Sequence, residues 1–293
     1  MRLLIAGCGY VGTALGSELA KSGHEVWGLR RDLVALRQLE STGIQAVQAN
    51  LLDPESLKRL PSVEYAVLCQ APSPERKSDN YFSTYFQATR NLLEALPKKT
   101  LRKAVLISST SVYSTSDGSW VDESTDPMAQ NHADRESQEN AKILLDTERL
   151  ALSSGHPSVV LRLAGIYGEG RNRVRSILEG RVRPSLSDVY MNRMHVADIV
   201  RALRLLLERG QAGEIYLGSD DAPSTQKEFY SWVFARLGRP VPAASGLSSE
   251  HSHGQSNKRV SNQKIKSLGL KLRYPSFREG YATLIEEAVR AHA

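Results

Sequence analysis

Short apolar runs alternate with longer amphipathic stretches from residue 1 to about residue 165. The short runs have the length of buried strands, and the longer ones carry apolar residues three and four positions apart, as a helix with one buried face does. This alternation is typical of βαβ units that build a parallel sheet. The predicted strands are 2–6, 25–29, 45–48, 65–69, 103–108 and 158–162, and the clearest predicted helices are 11–21, 81–96 and 137–152.

Six strands with helices between them predict an α/β fold with a doubly wound parallel sheet, whose ligand site lies beyond the carboxyl ends of the strands. Beyond residue 165 the alternation becomes irregular, although helices are predicted at 197–207 and 225–237. We therefore expect one domain over 1–165 and a smaller C-terminal, substrate-side lobe over 166–293, interleaved with the first. Residues 243–257 are rich in Ser, Gly and His and are predicted to form a mobile loop.

The composition and charge of the chain exclude several classes of protein. With 293 residues, 41% of them hydrophobic, the chain can bury a sizeable core. A net charge of +6 favours anionic ligands, but the 38 basic residues are scattered among 32 acidic ones, so no nucleic-acid partner is expected. No run approaches the ~20 apolar residues of a membrane helix, so no membrane partner is expected. The two cysteines form no disulfide framework, and we expect a cytoplasmic location.

A glycine-rich turn, Gly7-Cys8-Gly9-Tyr10-Val11-Gly12, directly follows the first predicted strand and opens the first helix. Its spacing and context are those of the dinucleotide-binding motif. The first glycine permits a tight turn, the second lets the backbone approach a pyrophosphate, and the third lets helix and strand pack closely. The pyrophosphate would lie on the helix N-terminus, where free N–H groups favour negative charge. The motif predicts a Rossmann-type domain.

Two cations, Arg30 and Arg31, end the second predicted strand. NAD-binding proteins place an Asp or Glu in this region to bind the adenine ribose, whereas arginine matches the additional 2′-phosphate of NADP. We therefore expect NADP as the cofactor, with NAD possible because Asp32 follows closely. The alternative is that both arginines are solvated residues at a helix entrance.

Further cofactor contacts are expected where the later strands end. Asn50 and Leu51 follow the third strand on the adenine side, and Asp53 before a proline indicates a helix cap. Residues 69–71 would line the path of the nicotinamide ribose, and Ser108 would lie close to the nicotinamide. The predicted cofactor-binding residues are Gly7, Gly9, Tyr10, Val11, Gly12, Arg30, Arg31, Asn50, Leu51, Cys69, Gln70, Ala71 and Ser108.

Three later segments follow the glycine turn in a familiar order. Residues 106–113 read Leu-Ile-Ser-Ser-Thr-Ser-Val-Tyr, residues 160–168 read Val-Leu-Arg-Leu-Ala-Gly-Ile-Tyr-Gly, and residues 194–198 read Met-His-Val-Ala-Asp. Over residues 1 to about 220 the chain therefore resembles an extended short-chain dehydrogenase/reductase of the NAD-dependent epimerase/dehydratase family. The resemblance implies a small or nucleotide-linked substrate, and a homodimer formed through the helices 81–96 and 137–152.

The chain departs from the family on the helix after the fifth strand. Members that carry out redox chemistry use a Tyr-x-x-x-Lys pair there, usually followed by a glutamate four residues beyond the lysine. Aligning Glu148 with that glutamate puts Asn140 and Leu144 at the pair, whereas keeping Lys142 puts Gln138 at the tyrosine position. A side-chain amide cannot exchange a proton as the phenol does. The chain thus resembles the atypical members of the family.

Three residues are candidates for chemistry on a substrate. Ser109 could hydrogen-bond a substrate oxygen, and the phenols of Tyr113 and Tyr167 follow the fifth and sixth strands, where either could donate a proton. Each tyrosine could instead be a packing element. His195 heads an amphipathic helix, which favours a structural or substrate-adjacent role over a general base, and Asp198 is interpreted as a hydrogen-bonding anchor.

Two hypotheses about the function of the chain stay open. The chain is either an NAD(P)-binding, epimerase/dehydratase-like oxidoreductase with an atypical active site, or a non-catalytic NADP-binding sensor or regulatory protein. His251 and His253 fall in the expected loop, and no metal site is expected. A group of arginines could bind a substrate diphosphate or form a solvated basic face: Arg171, Arg173, Arg175, Arg181 and Arg183.

Overall fold

The structure, a computed structural model, describes residues 1–72, 80–128, 134–242 and 256–292. The chain forms two compact units and crosses between them five times, once close to the predicted boundary at 165/166. The predicted loop 243–257, with His251 and His253, lies outside the described residues except for its last two positions. Unit 1 comprises Met1–Val112, Glu139–Arg162 and Val200–Tyr216, and unit 2 comprises Tyr113–Gln138, Leu163–Ile199 and Leu217–Ala293.

Strands and helices alternate in the order that the apolar pattern predicts. The strands are β1 (Arg2–Ala6), β2 (Glu25–Arg30), β3 (Gln45–Gln48), β4 (Tyr65–Leu68), β5 (Lys103–Ser109), β6 (Trp120–Val121), β7 (Ser158–Leu163), β8 (Gly165–Tyr167), β9 (Tyr190–Met191), β10 (Arg193–His195), β11 (Ile215–Gly218), β12 (Ser224–Thr225) and β13 (Arg259–Val260). The helices are α1 (Tyr10–Lys21), α2 (Leu33–Glu40), α3 (Pro54–Leu57), α4 (Ala88–Ala95), α5 (Arg135–Leu152), α6 (Val174–Leu178), α7 (Val196–Arg209), α8 (Gln226–Arg236), α9 (Gln263–Ser267) and α10 (Phe277–His292).

The main sheet has seven strands in the order β11-β7-β5-β4-β1-β2-β3. β1 lies between β2 and β4 and runs parallel to both, so that Leu4 is opposite Trp27 on one side and Ala66 on the other. The Rossmann-type, doubly wound α/β fold is confirmed. All six predicted strands end within one residue of the predicted positions.

Two predictions about elements need correction. The sheet contains a seventh strand, β11, which was not predicted because it falls beyond residue 165, where the alternation of strands and helices becomes irregular. The single helix predicted at 81–96 is instead a π-helical segment, Phe82–Gln87, followed by α4. Aromatic rings four positions apart pair along this segment, with centroids 5.4 Å apart for Phe82 and Phe86.

The strands of the sheet are buried on both faces, which explains their near-continuous apolar sequences. Leu3, Leu4 and Ile5 of β1 have no exposed surface. On one face Leu4 belongs to a cluster with Leu92 of α4. Burial of this kind supplies most of the favourable free energy of folding.

A buried ion pair joins α5 to the carboxyl ends of β5 and β7. Arg162 donates through Nη2 to Oε2 of Glu148 (2.7 Å) and through Nε to Oε1 (3.0 Å), and the Ser108 hydroxyl donates to the same Oε1 (2.5 Å). The side chains of Arg162 and Glu148 are 4% and 3% exposed. With its counter-charge and a third donor, this carboxylate is well satisfied inside unit 1.

Unit 2 surrounds a second apolar core. Phe229 of α8, Phe277 and Tyr281 of α10, and Tyr167 of β8 pack together there. The short strands of this unit pair as β8 with β10, β9 with β12, and β6 with β13. Within the described ranges, no helix of either unit is long and apolar enough to cross a bilayer.

We expect Glu148→Ala to lower the free energy of unfolding by about 3–5 kcal/mol, because it leaves the Arg162 guanidinium buried without a counter-charge. The matched control is Asp146→Ala, whose ion pair with Arg149 is exposed and should be worth less than about 1 kcal/mol. Urea unfolding of both variants measures the difference. Equal losses would mean that the buried pair has no special role in stability.

Candidate functional site

The glycine turn in unit 1 is held in place by close backbone contacts. Gly7 has φ +74°, and a Cβ there would lie 2.5 Å from both N and Cα of Gln70. A Cβ on Gly12 would lie 2.8 Å from Cγ2 of Ile5, so its absence lets α1 pack directly on β1. Both positions require glycine, one for backbone conformation and one for packing.

Gly9, between them, differs because a Cβ there would make only ordinary van der Waals contacts. The nearest atoms to a Cβ at this position are 3.7 Å away, Nη1 of Arg30 and the Gly7 oxygen. Gly9 is also the N-cap of α1, where no side chain caps the helix and no acidic residue lies in the first turn. The amide groups at the start of α1, near Tyr10 and Val11, therefore point their positive ends at the surface beside Gly9, here called the cradle, which suits an anion.

Arg30, at the end of β2, brings a positive charge next to this cradle. Nε of Arg30 is buried and has no hydrogen-bond partner in the described part of the chain. Arg31 is exposed. Asp32 caps α2 by accepting a hydrogen bond from the amide of Ala35 (3.0 Å), so this carboxylate is engaged at the helix end.

The segment after β3 uses its polar groups to build the next turn. Asn50 accepts a hydrogen bond from the amide of Leu52 through Oδ1 (3.1 Å), and the Leu51 carbonyl accepts one from Nδ2 of Asn91 (2.9 Å). Asp53 caps α3, with Pro54 in the first turn, and its predicted role as a cap is confirmed. Leu51 is buried, and Asn50 is half-buried.

The segment after β4 is packed against the glycine turn. The Cys69 thiol donates to the carbonyl oxygens of Ala6 and Gly7 (both 3.3 Å). Gln70 donates through Nε2 to Oγ1 of Thr89 (2.8 Å), while its buried Oε1 has no partner among the described residues. Ala71, which follows, is exposed.

Neither thiol beside the turn is a nucleophile at neutral pH. Burial raises the pKa of Cys8 to about 11, although Thr13 and the Arg30 charge oppose this. Burial also raises the pKa of Cys69, and the neighbouring Cys8 adds to the effect. Both sulfurs are therefore protonated packing groups in unit 1.

The two serines at the end of β5 have different surroundings. Ser108 is buried and its hydroxyl is committed to Glu148. Ser109 is half-buried, and its oxygen accepts a hydrogen bond from the Ser111 amide (3.1 Å). Of the pair, Ser109 has the hydroxyl that stands at the carboxyl edge of the sheet, where ligands of this fold bind.

Both tyrosine candidates are enclosed within unit 2. Tyr113 has no exposed surface, and its hydroxyl donates to the carbonyl of Asp122 (2.9 Å). Tyr167 is 3% exposed, and its ring stacks on Tyr281 with centroids 5.1 Å apart. The Tyr167 hydroxyl has no partner among the described residues and points at Gly280, where a Cβ would lie 2.2 Å away.

Known proteins resemble this chain over most of its length. The model of the NAD dependent epimerase/dehydratase family matches residues 3–217. The chain belongs to this family. It is 25% identical to Protein YeeZ of Escherichia coli (strain K12), over 94% of this chain and 96% of that one. It is 27% identical to a UDP-N-acetyl-alpha-D-glucosaminuronate decarboxylase of Bacillus cytotoxicus, over 77% of each chain. The solved structure of MoeE5 in complex with UDP-glucose and NAD has the same fold (TM-score 0.79, 24% identity, 100% of both chains).

The two possible alignments with the family helix involve residues of different exposure on α5. Glu148 and Leu144 are both 2% exposed and lie one turn apart on the face that packs on the sheet. Asn140, two turns before Glu148, is half-buried, whereas Lys142 and Gln138 are exposed. The face that carries Glu148 therefore presents Asn140 and Leu144, and it has no lysine in these positions.

His195 and Asp198 stabilise the start of α7 within unit 2. Asp198 is fully buried and accepts hydrogen bonds from the amides of Arg273 (2.6 Å) and Tyr274 (2.9 Å), which confirms its predicted role as an anchor. Nδ1 of His195 accepts a hydrogen bond from the amide of Ala197 (3.2 Å), which requires an unprotonated nitrogen. Burial, with a smaller effect of the Arg273 charge, lowers the pKa of His195 to about 4. The imidazole is neutral at pH 7.

The arginine group near α6 is partly neutralised. Arg175 donates to Glu179 (2.9 Å), and Arg181 pairs with the same carboxylate. Arg183 donates to the Gly180 carbonyl (2.9 Å). The guanidinium groups of Arg175 and Arg181 are 80% and 64% exposed, as expected of a solvated face.

Sequence reasoning missed three charged residues that unit 2 buries: Arg193, Asp220 and Lys258. Arg193 lies over the ring of Phe229, 4.0 Å from its centroid, and donates to Oγ of Ser224 (2.9 Å). Burial raises the pKa of Asp220, although the Arg193 charge opposes this. No local pattern distinguishes these residues from exposed ones, because partners distant in sequence bury them.

We expect the stability of the chain to fall as the pH drops from about 6.5 to about 4, in part because of His195. Between these values the unfolded state binds a proton on this imidazole and the folded state does not. His195→Asn, which keeps an acceptor for Ala197, should reduce the loss. Urea unfolding at pH 7.5, 6 and 5 measures it. Parallel pH dependences for the two proteins would contradict the assignment of a neutral, buried imidazole.

Proposed function

We propose that this chain is an NAD(P)-binding, epimerase/dehydratase-like oxidoreductase that prefers NADP. The observation that carries the proposal is the cradle at Gly9, where the N-terminus of α1 has no side-chain cap and the Arg30 guanidinium lies 3.7 Å from the position of a Cβ on Gly9. Helix amides suit a pyrophosphate, and a guanidinium suits a 2′-phosphate.

The residues around the cradle fit a dinucleotide from end to end. The pyrophosphate would lie on the first turn of α1, and Arg30 with Arg31 would bind the 2′-phosphate. Asn50 and Leu51 would line the adenine, while Gln70, whose Oε1 lacks a partner among the described residues, and Ser108 would lie on the nicotinamide side. The adenosine half is assigned to β2 and the nicotinamide half to β4 and β5, because these strands flank β1 on opposite sides. When bound, the cofactor would accept or donate a hydride.

A small or nucleotide-linked substrate is the best-supported class. The Bacillus cytotoxicus relative is named for a UDP-linked sugar acid, and MoeE5 was solved with UDP-glucose and NAD. Ser109 is the proposed hydroxyl that contacts the substrate, because the Tyr113 and Tyr167 phenols are enclosed. A homodimer through the segments 81–96 and 137–152 stays a prediction.

A second function, an NADP-binding sensor without turnover, is favoured by one observation. The α5 face that bears Glu148 presents Asn140 and a buried Leu144, neither of which can exchange a proton. Such a protein would bind the cofactor by the same groups. The two functions differ only in whether a substrate is converted.

We expect NADPH to bind about 10- to 150-fold more tightly than NADH, the range that charge-assisted hydrogen bonds worth ~1.5–3 kcal/mol produce. The double variant Arg30→Ala/Arg31→Ala should remove the preference and keep most of the NADH affinity. Gly9→Val should abolish binding of both cofactors in a folded protein, because its side chain would enter the cradle. Calorimetric titration of each protein with both cofactors measures these effects. Equal affinities in the unmodified chain would refute the preference for NADP.

If the chain is an enzyme, we expect Ser109→Ala to reduce kcat by about 10²–10³-fold, the effect of removing one hydroxyl donor from a reacting oxygen. Lys142→Ala is the matched control, because this side chain is exposed and should matter less than tenfold. Turnover is measured on carbonyl compounds and nucleotide sugars with NADPH or NADP⁺.

Two results would change this assignment. A loss of about 10²–10⁴-fold in Tyr113→Phe or Tyr167→Phe, with Ser109→Ala active, would make a phenol the proton donor. No turnover of any of these compounds, despite tight NADPH binding, would favour the sensor.

A further inference from the structure

Unit 2 buries an ammonium group that pairs with no carboxylate in the described part of the chain. Lys258 is 5% exposed. Its Nζ donates to the carbonyl oxygen of Tyr113 (3.0 Å) and to the hydroxyl of Ser256. Among the described residues no acidic side chain forms an ion pair with it, so one N–H of the ammonium has no assigned acceptor.

Two other cations of the chain, one buried and one half-buried, are neutralised by acidic groups. Arg162 is paired with Glu148, and Lys266 of α9 is paired with Asp221 (2.8 Å). A charge taken out of water without an opposite charge is strongly unfavourable, and a buried group of this kind is a candidate for a functional site. Burial lowers the pKa of Lys258 to about 8, which leaves it mostly cationic at pH 7.

The acidic residues on the neighbouring segment are engaged elsewhere. Asp122 accepts hydrogen bonds from the amide (2.9 Å) and hydroxyl (2.6 Å) of Ser124. Glu123 accepts one from the amide of Leu217 (2.8 Å). Each carboxylate therefore stabilises its own local structure and forms no ion pair with the ammonium.

Lys258 is held rigidly next to the segment that follows the β5 serines. β13 pairs with β6, and on either side of this pair the Gly118 amide donates to the Asn257 carbonyl (2.8 Å) and the Ser261 amide to the Val121 carbonyl (2.9 Å). Nδ2 of Asn192 donates to the Lys258 carbonyl (2.9 Å). A cation with so little freedom is preorganised to bind a group at one position.

We propose that the Lys258 ammonium is an anchor for an anionic group, a phosphate or carboxylate, of a ligand bound by unit 2. It donates its remaining N–H to an oxygen of that group, which supplies the missing counter-charge. The proposal rests on the proposed function only in that this ligand is the substrate, and it does not depend on the cofactor preference.

The alternative is that Lys258 only supports the Tyr113 backbone, and two variants separate the roles. Lys258→Gln keeps a donor for the Tyr113 carbonyl but removes the charge, whereas Lys258→Met removes both. Lys227→Met is the matched control, since Lys227 is an exposed lysine on α8 of the same unit. Urea unfolding and NADPH titration of each variant report whether the fold and the cofactor site are intact.

The experiment titrates the full-length proteins with inorganic phosphate, UDP and glucuronate by calorimetry at low ionic strength. We expect the unmodified chain and Lys227→Met to bind at least one of these anions with affinities within twofold of each other. Lys258→Gln and Lys258→Met should bind it at least tenfold more weakly. Binding of phosphate and UDP but not glucuronate would identify the anchored group as a phosphate. Binding of glucuronate alone would identify it as a carboxylate.

Two results would overturn the proposal. One is unchanged anion affinity in Lys258→Gln, which would make Lys258 a structural support. The other is no binding of any of the three anions by the unmodified chain. NADPH binding in the same samples shows whether the proposed function fails as well.

Discussion

The contact between α1 and β1 is the constraint on which the candidate site depends. Gly12 brings the helix against Ile5, and Gly7 turns the chain beside Gln70, so that the start of α1 is held at the carboxyl edge of the sheet. The helix begins there without a side-chain cap. The amides of the first helical turn have no partner within the helix and suit an anion, and the sheet holds them at its carboxyl edge, where ligands of this fold bind.

The distribution of buried charge separates structural from functional groups. Glu148 and Arg162 neutralise each other, with Ser108 as a third partner, and this pair joins α5 to the sheet. Arg30 has a buried Nε without a partner among the described residues, and Lys258 forms no ion pair with an acidic side chain there. Incomplete pairing of cations in both units is the physical basis of both proposals of anionic ligands.

The sequence predicts well those features that depend on local physics. Parallel strands are recognisable because both faces are buried, and the glycine turn is recognisable because each glycine answers a separate steric need. The Asp53 cap follows from an acidic residue before a proline. Features set by distant contacts are not predictable in this way. Tyr113 and Tyr167 look accessible after their strands, but Asp122 and α10 enclose them, and Lys258 is buried by a segment 145 residues away.

A crystal structure of the chain grown with NADP⁺ tests the central claim most directly. We expect the pyrophosphate to lie on the amides at the start of α1, above Gly9, and the 2′-phosphate to lie within hydrogen-bonding distance of Arg30 or Arg31. A dinucleotide bound elsewhere, or one whose 2′-phosphate faces away from both arginines, would contradict it.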